Sequence, residues 1–307
     1  MRIGFGLPVS GASATPTNVA LFGTRAEQAG YASLWTFQRL MVPSGMTMDP
    51  VYQSVLDPIA ALSFAAAVTS RIRLGVAVIN APFVAPAYLA KQAATVDVLS
   101  GGRLELGLGL GWMPEEFTVT GGSMSRRGAR TAEYVRVLRA LWGPQPSEFS
   151  GEFYSVPRGS VLPAPVQPGG PPVLLGGLAD VALRRVGRVA DGWVTSSRQD
   201  LSRIGACVAL IRESAAQAGR DPEVIRIICR GAVRSGEPAA DGKGGRLLLS
   251  GSYAQIRDDV AWLASQGVTE VFYDLNWDPL VGAPEIDPAA ATARAAHLLD
   301  ALAPGEA

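Results

Sequence analysis

The chain has 307 residues, of which 48% are hydrophobic and 18% charged. That composition supports a large buried core and excludes a disordered chain. Formal net charge is zero at pH 7, so there is no basic field to attract nucleic acid, and any anionic ligand needs a local site.

Short apolar runs alternate with amphipathic segments along the chain. RIGFGLP (2–8) is the first predicted strand. Thr15 then caps a helix with Pro16 at its first position, which runs to a stop at Gly30. YASLWTF (31–37) is the second strand, and Asp57-Pro58 opens a helix that ends near Thr69-Ser70. IRLGVAVIN (72–80) is almost wholly apolar, the pattern of a parallel strand covered on both faces. Pro86 starts the third helix, which stops at Ser100-Gly101-Gly102; RLELGLGLG (103–111) is the fourth strand, followed by a helix over 127–142. Prolines at 144, 146, 157, 163, 165, 168, 171 and 172 then break the alternation, and 143–172 reads as an irregular insertion. PVLLGG (172–177) precedes a helix over 178–190, and DGWVTSS (191–197) precedes one over 201–218. VIRIICRGAVR (224–234) is the seventh strand, followed by a Gly-rich loop (241–245) and a helix over 252–266. VTEVFYDLN (268–276) is the eighth, and Asp287-Pro288 opens a last helix carrying His297.

Eight strand–helix units predict an α/β fold, a (β/α)8 TIM barrel forming one domain over 1–307, with the insertion after the fourth unit. A doubly wound sheet would normally need fewer strands. Cys207 and Cys229 lie in apolar contexts without Cys or His at metal-ligand spacing, so buried free thiols are expected and no metal site. The apolar stretch 59–90 is interrupted by Arg71 and Arg73, which argues against a membrane span, and the N-terminus does not read as a targeting signal. A cytoplasmic protein is expected.

A barrel places its chemistry at the C-terminal ends of the strands. Those ends hold Gln38 and Arg39 after strand two, Ala77 and Val78 in strand three, and Leu110, Gly111 and Trp112 after strand four, followed by Glu115 and Glu116. Gly176 and Gly177 follow strand five, Thr195, Ser196, Ser197 and Arg198 strand six, Arg230 lies in strand seven, and Asp274 and Asn276 in strand eight. His297 is the only histidine and lies in the last helix, which excludes a Ser-His-Asp triad and a His-ligated zinc at this face. The remaining lining is apolar, Gly-rich and hydroxyl-rich, and suits a large flat organic cofactor that carries the hard chemistry itself. Gly176-Gly177 opens a helix and reads either as a phosphate seat or as an ordinary tight turn. Thr195, Ser196 and Ser197 either add donors or cap the next helix.

The run LELGLGLGW is not a dinucleotide fingerprint: counting from Gly107 the sixth position is Trp112, and from Gly109 it is Pro114. Gly107, Gly109 and Gly111 are expected on one face of a strand, leaving it bare for the core and a cofactor ring to approach.

The motifs SLWTFQRL, TSRIRLGVAV, AKQAATVDVLSGGRLELGLGLGW, EEF, RRG, LW, PVLLGG and ADGW, in that order, resemble the bacterial luciferase-like superfamily. Within it the chain resembles the actinobacterial oxidoreductases that use the deazaflavin coenzyme F420, over about 1–277. The resemblance implies a barrel with an insertion, a homodimer, and a hydride moved between F420 and a small organic substrate. It implies a bulge with a non-prolyl cis peptide at Ala77-Val78 against the ring, Leu110 and Gly111 at its edge with Trp112 beside it, and Gly176-Gly177 at the phosphate with Ser196 and Ser197 near. The Asp-His pair of the family's sugar-phosphate branch is absent: Gln38-Arg39 stands there, and Trp112 replaces a Glu. Gln38, Arg39, Glu115 and Glu116 are the remaining candidates for proton transfer and polar contact. Alternatives on the same fold are an FMN-dependent monooxygenase and a cofactor-free, non-catalytic relative.

Overall fold

The computed structural model describes residues 1–305. In chain order the elements are β1 (Arg2–Gly6), α1 (Pro16–Gln28), β2 (Ser33–Thr36), α2 (Pro58–Val68), β3 (Arg73–Asn80), α3 (Pro86–Ser100) and β4 (Leu104–Gly109). Then come α4 (Pro114–Thr120), α5 (Arg127–Trp142), β5 (Ser147–Ser150), β6 (Ser155–Gly159), β7 (Val173–Gly176), α6 (Asp180–Val189) and β8 (Gly192–Val194). The chain continues with α7 (Ile204–Gln217), β9 (Arg226–Gly231), β10 (Arg234–Ser235), β11 (Ser250–Gly251), α8 (Tyr253–Ser265), β12 (Glu270–Tyr273), α9 (Pro279–Gly282) and α10 (Pro288–Ala301).

Eight strands close a barrel in the order β1-β12-β9-β8-β7-β4-β3-β2, with every neighbouring pair parallel. This is the expected (β/α)8 barrel. The helix starts follow local chemistry. Thr15, Asp57 and Asp287 each accept a backbone N–H of the first turn, with proline at the start of the helix, and Ser252 forms a capping box with Gln255.

Several strands are shorter than their apolar runs. Strand seven was expected over 224–234 but spans Arg226–Gly231, because Asp221 caps a 3-10 turn over Pro222–Val224 just before it. Inside 143–172 lies an antiparallel hairpin, β5–β6, which the prolines concealed. Glu133 of α5 holds its turn, accepting the N–H groups of Glu152, Phe153 and Tyr154 at 3.0, 2.7 and 2.8 Å. The Gly-rich 241–245 is a turn built on Asp241, whose Oδ1 accepts from Lys243 N and Gly245 N.

The main core lies between sheet and helices, and a smaller cluster of Trp35, Ala77, Leu174, Val194, Ile228 and Phe272 fills the barrel. Trp35 stacks on Phe272 at 5.0 Å, and any side chain at Gly75 would strike the indole. At the N-terminal end the buried Glu105 and Glu270 meet Arg2, Arg73 and Arg226. Burial alone would raise the Glu105 carboxyl, but Arg226 and Arg73 hold it below its ordinary range. Ser33 Oγ and Trp35 Nε1 also donate to Glu270, at 2.6 and 3.0 Å. With its lower end plugged, the barrel is left with its C-terminal mouth for a ligand.

Candidate active site

Strand β3 slips register against β4 between Val76 and Ile79, and the Ala77–Val78 peptide is cis. The bulge turns Val78 toward β4 and β7. A Cβ built on Gly109 would lie 2.6 Å from Val78 Cγ2, and one on Gly176 would lie 3.5 Å from Val78 Cγ1. A Cβ on Gly107 would collide with the Val76 carbonyl. The bare face of the fourth strand is therefore covered by the bulge of the third. Contrary to the alternation in the sequence, Gly111 does not share that face. Strand β4 ends at Gly109, and Gly111 has φ +69° in contact range of the Phe83 and Phe117 rings. The left-handed turn breaks the alternation that the sequence pattern suggested.

The end of the second strand is tied to this corner. Gln38 Oε1 accepts from Asn80 N at 2.8 Å, and Asn80 Oδ1 accepts from Gly111 N at 3.0 Å. Arg39 and Glu116 form an ion pair at 3.0 Å, with side chains 6% and 1% exposed. Glu116 Oε1 also accepts from Leu40 N at 2.9 Å. The Arg39 guanidinium lies 4.4 Å from the centre of the Tyr52 ring and 5.1 Å from that of Trp112. Trp112 itself is half-exposed, and Leu110 and Gly111 are partly exposed beside it. Glu115 is half-buried, and its Oε2 is enclosed without a hydrogen-bond partner. Among the four polar candidates, then, Arg39 and Glu116 hold each other, Gln38 holds backbone, and Glu115 is uncommitted at Oε2.

Across the mouth, Gly176 and Gly177 lead into α6, which starts at Asp180, two residues later than expected. Ala179 at its N-cap supplies no side-chain acceptor; its carbonyl takes the Ala182 N–H at 2.7 Å, those of Asp180 and Val181 have no side-chain cap, and Asp180 places a carboxylate in the first turn. Gly177 has φ +151°, and a Cβ there would sit 2.5 Å from that of Ala182. Ser196 Oγ accepts from Arg198 N at 3.2 Å, and Thr195 Oγ1 from Arg230 N at 2.8 Å. Ser197 lines a cavity of about 390 Å³ between 197–202 and 241–249, within the usual size range of small-ligand sites. Its walls include Leu201, Ala232 and Leu247–Leu249, and Lys243 Nζ reaches Asp200 Oδ2 at 2.6 Å across it.

Arg230 is the residue whose importance the sequence did not signal. It lines the cavity, is 8% exposed, and pairs with Asp274 through Nε at 2.6 Å. Its Nη1 donates to the Ala77 carbonyl at 3.2 Å. Asp274 in turn accepts from Asn276 Nδ2 at 2.8 Å, and Asn276 Oδ1 accepts from Val9 N and Ser10 N. An Arg in an apolar strand beside an Asp-x-Asn run was the available signal. His297 stands on α10 beside Tyr253. Among the described residues no group of His, Cys, Asp and Glu side chains forms a metal-binding cluster, and no helix is long and apolar enough to cross a membrane.

Comparison with known proteins fits this geometry. An uncharacterized protein of Mycobacterium tuberculosis is 40% identical over 164 residues, 53% of this chain and 55% of the relative. The FMNH(2)-dependent dimethylsulfone monooxygenase of Pseudomonas putida is 29% identical over 197 residues, 63% of this chain and 52% of the relative. The matched region thus spans about half the length of these curated relatives. Among solved structures, monooxygenase RslO1 from Streptomyces bottropensis shares the fold with TM-score 0.78 at 20% identity, over 98% of both chains. An F420-dependent secondary alcohol dehydrogenase, solved with an F420-acetone adduct, does so with TM-score 0.77 at 16% identity, over 98% of both chains. The family model for luciferase-like monooxygenases matches residues 3–244, and the chain belongs to that family.

Proposed function

We propose that this protein is an oxidoreductase that moves a hydride between coenzyme F420 and a small organic substrate at the barrel mouth. The observation that carries this reading is the pairing of the bulge at Ala77–Val78 with the uncapped start of α6 beside Gly177. The first offers an apolar support for a flat ring, and the second offers N–H groups and a helix dipole for a phosphate. When bound, the deazaflavin supplies the carbon that gives or takes the hydride.

The chain's own residues then hold and orient. Gly176 and Gly177 leave the phosphate seat clear of side chains, and Ser196 and Ser197, which follow the neighbouring strand β8, are the hydroxyls proposed to add donors. Val78, Leu110, Gly111 and Trp112 form the apolar flank. Gln38 fixes the backbone of Asn80, and the Arg39–Glu116 pair fastens the loop after β2 to α4. Glu115, whose Oε2 has no hydrogen-bond partner and which makes no ion pair among the described residues, is the carboxylate proposed to give or take a proton once the bound substrate opens it.

The F420-dependent alcohol dehydrogenase, with its like fold, is consistent with this choice, as is the motif order of the sequence. The second reading is a monooxygenase that works with reduced FMN, favoured by the 29% identity to the Pseudomonas putida enzyme. Equilibrium titration of the purified protein with each cofactor separates them. Binding of F420 in the micromolar range supports the first reading. Binding of FMN with none of F420 supports the second, and binding of neither points to a cofactor-free relative.

A further inference from the structure

We propose that Arg230 is a positioning residue that holds the Ala77 carbonyl, and with it the support for the cofactor ring; this rests on the functional reading above. A bulge takes residues out of the regular ladder, so a carbonyl within it needs a partner from elsewhere. Ala77 lies inside the register shift of β3. Its carbonyl accepts from Arg230 Nη1 at 3.2 Å, from a residue 153 positions away on β9.

The guanidinium is held from several sides. Asp274 takes Nε at 2.6 Å. Phe37 and Trp277 lie 4.7 and 5.4 Å from it, measured to their ring centres. The Arg230 backbone N–H donates to Thr195 Oγ1 at 2.8 Å. Nη2 lies 2.6 Å from the same Asp274 oxygen without a well-formed hydrogen bond. Through its guanidinium and its backbone N–H, this one residue of β9 links the bulge of β3 with the ends of β2, β8 and β12. It also lines the cavity of about 390 Å³, so it stands between the bulge and the space beside it.

The charge network at the other end of the barrel shows what a purely structural role looks like here. Glu105 and Glu270 share several arginines, and each is held more than once. Arg230 has one carboxylate and one backbone carbonyl, and that carbonyl belongs to the bulge. Lysine cannot replace it. A single ammonium can meet Asp274 or Ala77, but it lacks the fork that meets both and the plane that packs against the rings.

The test uses the full-length protein and two variants, Arg230→Lys and Asp274→Asn. Each is titrated with F420 and with FMN, and the absorbance spectrum of the bound cofactor and the thermal midpoint are recorded. Arg230→Lys is expected to fold with a thermal midpoint lowered by roughly 2–6 °C, to bind the preferred cofactor about tenfold more weakly, and to return the bound spectrum toward that of free cofactor. Asp274→Asn must turn its NH2 toward the donors of either Arg230 or Asn276, all of which Asp274 now accepts, so it loosens the fork and is expected to weaken binding in the same direction. An Arg230→Lys variant that binds as wild type with an unchanged spectrum overturns the inference. So does an Asp274→Asn variant that binds as wild type, which would show that the fork needs no holding, or an Arg230→Lys variant that does not fold, which would make the residue structural. Wild-type protein that binds neither cofactor overturns the functional reading itself, and this inference with it.

Discussion

Gly109→Ala tests the claim that the glycines of β4 exist to admit the β3 bulge. The added methyl would lie 2.6 Å from Val78 Cγ2 and 2.8 Å from Asn80 Oδ1, where ordinary contact begins at 3.4 Å. Neither neighbour yields easily. Val78 is β-branched and stiff at χ1. Asn80 Oδ1 accepts from Gly111 N, and Asn80 N donates to Gln38, so moving it loosens two hydrogen bonds. Overpacking of this kind costs about 1–3 kcal/mol. For a chain of this size that lowers Tm by roughly 2–6 °C. Val78→Ala removes the closer obstruction, so Gly109→Ala should cost about 1 kcal/mol less in that background. Urea unfolding of wild type, both single variants and the double variant measures the coupling. Equal cost of Gly109→Ala in both backgrounds would show that Val78 is not what the glycine accommodates.

Two further expectations concern the fold. Burial alone would raise the Glu27 carboxyl, but the N–H groups of Ile72, Arg71 and Ser70 and the Ser70 hydroxyl lower it from 4.5 to about 2. A depressed carboxylate stabilises the fold above its unfolded pKa, and that contribution is lost as pH falls through the folded value. The stability gap between wild type and Glu27→Gln should therefore be constant above pH 4.5 and close between 4.5 and about 2, as read by urea unfolding across pH. Arg103 is 7% exposed and donates to Ser100 O, Thr69 Oγ1, Ile72 O, Ala66 O and Thr69 O, at the C-terminal ends of α2 and α3. Arg103→Met should cost about 3 kcal/mol or more by leaving these acceptors buried, and Arg103→Lys should restore only part; a cost below about 1 kcal/mol in thermal unfolding contradicts this.

The parts of the fold that were legible in the sequence rest on local chemistry. Thr15-Pro16, Asp57-Pro58 and Asp287-Pro288 mark helix starts because the cap and the proline act within one turn. Apolar runs located all eight barrel strands because both faces of each are covered. What escaped was set by contacts across the chain. The β5–β6 hairpin depends on the Glu133 carboxylate, far from it in sequence. Gly111 looked like a continuation of the strand, and only the Phe83 and Phe117 rings and a left-handed turn remove it. The same holds at the site. Glycines and hydroxyls at strand ends were readable one by one, but the pairing of Arg39 with Glu116 and the reach of Arg230 to Ala77 require the closed barrel.

The central claim is that the mouth formed by the Ala77–Val78 bulge and the start of α6 holds a deazaflavin. Titration of the purified protein with F420, followed by the change in cofactor absorbance, tests it most directly. Saturable binding in the micromolar range, weakened by a side chain at Gly177, is the result expected. Binding of FMN with no binding of F420 would contradict it.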